Sequence, residues 1–71
     1  MNTNKQHLEK MHRILKDFAA QLEKFAAEAV KNEEIYQAKI AADQNALLRE
    51  KMATLRDNAY AAITAEAEAA P

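Results

Sequence analysis

A chain of 71 residues with 10 Lys and Arg, 11 Asp and Glu and a formal net charge of -1 has room for one small domain and carries no global attraction to nucleic acid or anionic lipid. Cysteine is absent, which excludes disulfide staples and thiolate metal sites. Glycine is absent as well and the single proline is Pro71, so no residue before it brings the left-handed freedom or the missing amide donor that usually turns or ends a helix.

Alanine, leucine, glutamate, lysine and glutamine crowd the chain, and these residues lose least entropy on entering a helix. The expected fold is all-α, a single helical domain over residues 1–71. The first element opens at Thr3, where Thr3 and Gln6 have the spacing of a capping box. Apolar residues then recur at Leu8, Met11, Leu15, Phe18, Leu22, Phe25 and Ala29, the 3-4 spacing of a coiled-coil seam. Ile14, Ala19 and Ala26 widen this stripe beyond a two-stranded zipper towards the broad face of a bundle helix. The opposite side carries Glu9, Arg13 and Asp17 at the i,i+4 spacing of opposite-charge pairs. The helix is expected over about residues 4–31.

The regularity breaks at Lys31-Asn32-Glu33-Glu34. Asparagine tolerates the residue position past a helix end, Lys31 suits a last turn, and Glu33 and Glu34 suit the first turn of a following helix. The spacing therefore predicts a turn near Asn32 and a second helix over about 33–64, with its seam at Leu48, Met52, Leu55, Ala59 and Ala62 flanked by Ile63. This second seam is displaced by two positions from the first, which a turn or a local change of supercoil accommodates. The alternatives are one continuous helix on the order of 100 Å long and a three-helix arrangement with a further cap at Asp43-Gln44-Asn45. A turn at Asn32 leaves two arms of matched length, and the hairpin is preferred for that reason. The tail, residues 65–71, has no large apolar side chain, and Glu66 and Glu68 oppose the dipole at a helix C-terminus, so it is expected to fray.

Motifs with chemical content are sparse. Glu9 and His12 have the Glu-x-x-His spacing of di-iron bundles, yet Glu9 falls on the solvent side of the seam, so they read as two solvated residues. Lys5, Lys10, Arg13, Lys16 and Lys24 are diluted by Glu9, Asp17 and Glu23, and a salt-bridged surface accounts for them better than a nucleic-acid or membrane face. Phe18 and Phe25 lie inside the stripe and read as core, while Tyr36 and Tyr60 lie beside it, with hydroxyls reaching water at a rim. Off-seam alanines such as Ala20, Ala27, Ala46, Ala53 and Ala61 raise helix propensity or admit a second helix. There is no serine, no cysteine nucleophile and no glycine loop, so no catalytic constellation forms and no cofactor or metal is expected.

A small chain buries only about 60% of the surface exposed by its unfolded form, and another copy is the usual substitute for a disulfide or metal staple. The apolar stripe on each arm is too wide for one neighbouring helix, which predicts a helical hairpin, or long helix, with a coiled-coil-like seam assembling into a bundle. The expected function is a non-enzymatic helical oligomerisation protein: a small structural, scaffold or adaptor subunit of a larger assembly such as a virion, partnered by itself and by another protein. Its oligomer seam is expected at Leu8, Met11, Leu15, Phe18, Leu22, Phe25, Leu48, Met52, Leu55 and Ile63. The alternatives are a nucleic-acid-binding regulator on a dimeric four-helix bundle and a small metal-binding bundle. The longest apolar run is short of a membrane span, and the polar N-terminus lacks a secretory core, so the expected location is the cytoplasm or a particle assembled there.

Overall fold

A computed structural model describes residues 3–70. The chain forms two helices, α1 (Thr3–Ile35, 33 residues) and α2 (Ala38–Ala69, 32 residues), packed against each other as an antiparallel hairpin. Each helix runs about 50 Å at 1.5 Å per residue, which accounts for the elongated 57 × 15 × 6 Å outline. Thr3 already lies within α1; its side chain, and with it the predicted capping box with Gln6, falls outside the described residues.

The less exposed residues of α1 are His7, Met11, Ile14, Phe18, Leu22, Phe25, Ala29 and Asn32. Their 3-4 spacing, with one extra step of four at Phe18 to Leu22, traces one line along the helix. On α2 the matching line is Ala41, Asn45, Leu48, Met52, Leu55, Ala59, Ala62 and Glu66. The large side chains of α1 meet an α2 line whose centre is Leu48, Met52 and Leu55 with alanines to either side, and Phe18 lies beside Leu55 and Ala59. Size complementarity of this kind lets two helices close without voids.

The corner lies at Tyr36 and Gln37 rather than at Asn32. Asn32 does not end α1 because its side chain is wanted inside: it is buried, and its Nδ2 donates to Asn45 Oδ1 at 3.0 Å. Asn45 Nδ2 in turn donates to the Ala29 carbonyl at 3.3 Å. The Tyr36 amide continues the helical ladder onto the Asn32 carbonyl at 3.0 Å, and the Ala41 amide opens α2 by donating to Gln37 O at 2.9 Å. Between them Gln37 is extended, with φ -62° and ψ 153°, and none of the described residues has positive φ. A single extended residue thus makes the corner, with no need for glycine.

Three further expectations change with this corner. Glu33 and Glu34 sit in the last turn of α1 instead of the first turn of α2, where they oppose the helix dipole at a cost of a few tenths of a kcal/mol each. Asp43-Gln44-Asn45 caps nothing, since α2 runs through it, and its Asn45 turns into the interface. The tail is helical to Ala69 and ends with the Ala70 amide donating to Glu66 O at 3.2 Å. It is held because Glu66 reaches across to His7, as described below.

Candidate interaction surface

The hairpin has little interior. Among the described residues only Ala41 and Leu48, at 4% and 3% exposure, are buried apolar residues, and no side chain is fully enclosed. Met11, Phe18, Leu22, Phe25, Met52, Leu55 and Ile63 of the predicted seam are half-buried. The structure therefore gathers eight of the ten predicted seam residues around the contact between the two arms of one chain. Leu8 and Leu15 are the other two, and they stand outside it at 62% and 52% exposure. Ile14, placed at the edge of the stripe in the sequence, takes the inward position instead. The two frames differ by one residue, and a stripe this wide could not reveal which edge would face α2.

Further apolar side chains join Leu8 and Leu15 at the surface: Val30, Ile35, Ile40, Leu47 and the two tyrosines, Tyr36 and Tyr60. Ile35, Tyr36 and Ile40 surround the corner. Among the off-seam alanines, Ala46 and Ala53 are half-buried, whereas Ala20, Ala27 and Ala61 are exposed.

At the open end, His7 Nδ1 donates to Glu66 Oε2 at 2.5 Å across a separation of 59 residues. The sequence periodicity puts neither residue on an inward line; the structure places both there, and their meeting depends on the register set by the corner. This hydrogen bond holds the Glu66 carboxyl below its ordinary value of 4.5; partial desolvation opposes it, and the charges of Lys10 and His7 assist. Lys10, Arg13 and Asp17 share an open groove with Glu66, so the pair sits among two cations and one further carboxylate. A lowered carboxylate means that its stabilisation is present above 4.5 and is lost as pH falls through the lower folded-state value. Acidification from about pH 7 to pH 3, across the carboxylate range, is thus expected to fray residues 62–70 before the rest of the hairpin. Residue-resolved Cα chemical shifts report this directly, and Glu66→Gln should show the frayed end at every pH. Equal helicity of the segment at both pH values in the unsubstituted chain would remove the latch.

The predicted Glu9 and His12 are both exposed on α1. Among the described residues no group of three His, Cys, Asp or Glu side chains is arranged to hold a metal ion, and no helix is long and apolar enough to cross a membrane. The concavities are open grooves; the one along Lys5, Leu8, Glu9, His12, Arg13 and Lys16 lies on α1 alone. No family model, curated protein or solved structure shows a significant match to this chain.

Proposed function

We propose that this chain is a non-catalytic self-associating helical subunit, whose hairpin is half of a bundle and serves as a structural, scaffold or adaptor element of a larger assembly. The observation that carries this reading is its surface. A folded monomer of 8.0 kDa is expected to expose about 4,450 Å², whereas the hairpin exposes 5587 Å². The excess, roughly 1,100 Å², is comparable with the ~800 Å² that each partner contributes to a standard protein interface. Large apolar side chains, Leu8, Leu15, Val30 and Leu47 among them, contribute to that surface; Leu8, Leu15 and Val30 share one side of α1 by their spacing, and an exposed apolar face of this type marks an association site.

The nucleic-acid alternative asks for basic side chains converging on one face. Lys10 and Arg13 instead share their groove with Asp17 and Glu66, which favours the self-association reading. Analytical ultracentrifugation with helicity followed against concentration tests it. The mass at tens of micromolar should be a multiple of 8.0 kDa, and helicity should fall together with mass on dilution. A monomer that remains fully helical and melts cooperatively at micromolar concentration overturns the proposal.

A further inference from the structure

Having given one line of residues to α2, α1 retains a second that meets the first at the half-buried Leu22. Leu8, Leu15 and Leu22 recur every seven residues, and His12, Ala19 and Ala26 fall four residues after each of them. This is again a 3-4 seam, rotated about 80° from the line that faces α2. Two contact faces close to a right angle are what a helix at the corner of a four-helix bundle presents to its two neighbours. Within the hairpin the second face has no helix against it: Leu8, Leu15, Ala19, Ala26 and Val30 are exposed.

We infer that this face of α1 docks on the same face of α1 from a second copy, antiparallel, with the two-fold axis passing at Ala19. The inference rests on the self-association reading above and assigns its surface and orientation. Three observations converge on this occupant and register. With Ala19 on the axis, Leu8 lies opposite the second copy's Val30, and Leu15 settles between the second copy's Leu22 and Glu23, so large side chains meet at the ends while alanine faces alanine at the centre. Small residues at the crossing allow close approach of the two backbones. Charge agrees with the same register. Lys16 and Glu23 are exposed along one outer edge of the seam, and neither is in an ion pair among the described residues. Antiparallel pairing brings each Lys16 beside the second copy's Glu23, twice by symmetry. In a parallel pairing this charged edge would instead meet the α2 side of the second copy, and these charges would not meet. Finally, the antiparallel arrangement puts both α2 helices on one side of the α1 pair, which closes four helices into a bundle and covers surface of the order identified above.

The absence of cysteine makes the test direct. In the full chain, Ala19→Cys places its thiol on the two-fold axis, within the short Cα separation that a disulfide requires, and mild oxidation should convert it to a covalent dimer. Arg49→Cys, on the exposed side of α2, is the control and should cross-link far more slowly. Lys16→Glu and Glu23→Lys are each expected to weaken the dimer about fivefold, the effect of a surface ion pair, and the double reversal should restore it. A monomeric mass for the unsubstituted chain overturns both this inference and the self-association reading. A dimeric mass in which Ala19→Cys oxidises no faster than Arg49→Cys overturns this surface and leaves self-association standing. Rapid cross-linking without rescue in the double reversal overturns the antiparallel register.

Discussion

Leu48→Ala is expected to lower the unfolding free energy by about 2–5 kcal/mol, the range for truncating a buried leucine that leaves a cavity. Among the described residues Leu48 is the one large apolar side chain that the hairpin buries outright, at 3% exposure, and it lies in the interior of α2, nearly three turns from its start, where the helix end cannot relax to fill the space. In a domain of this size about 1 kcal/mol displaces the melting midpoint by roughly 4–8 °C, so the variant should melt at least about 8 °C lower or fail to fold. Its neighbour supplies the control. Leu47 is 52% exposed, and Leu47→Ala should stay within about 0.5 kcal/mol. Thermal melts of the two variants at matched concentration decide the matter, and equal effects would show that the α2 frame is wrong.

Asn32→Ala is the second large effect. It removes the donor to Asn45 Oδ1 inside the contact between the helices, and an unsatisfied buried polar group costs about 1–3 kcal/mol. Replacing both partners, Asn32→Leu with Asn45→Leu, removes the polar requirement and is expected to be neutral or stabilising by the same reasoning. Specificity is what the double variant should lose. A polar residue in an otherwise apolar seam fixes register, and the pair here straddles the corner, Asn32 on α1 and Asn45 on α2, where it sets which residue of α2 meets which residue of α1. The double variant should therefore melt no lower than the unsubstituted chain yet show more than one set of amide resonances. A neutral Asn32→Ala would remove the pair from any structural role.

The contrast between Asn32 and Gln37 shows where sequence reasoning stops. Asparagine has good chemistry for leaving a helix, and no local signal distinguishes an asparagine that caps from one whose amide finds a partner 13 positions away. Gln37 carries no turn signature at all, and its side chain makes no cap. The corner falls there because the inward lines of α1 and α2 need it. One ends at Asn32 and the other begins at Ala41, and a reversal between them lets Asn32 and Asn45 meet without placing either in water. The displacement of the two seams, visible in the sequence, is the trace of that reversal, since a straight helix would carry the two lines on different sides. The ordered tail has a similar origin. Glu66 opposes the dipole of its own helix, but once the corner is set it lies beside His7, a contact that propensity cannot anticipate.

The chain alone determined that this protein is helical and nearly unbroken, because composition and the absence of glycine act residue by residue. It also determined that each arm carries an apolar stripe and that the stripe is wide, because a 3-4 spacing needs no partner to be seen. Tertiary structure decided the corner, the tail and which edge of each stripe turns inward. Those choices depend on contacts between residues far apart in the chain, and two frames one residue apart bury nearly the same side chains until the opposing helix selects between them.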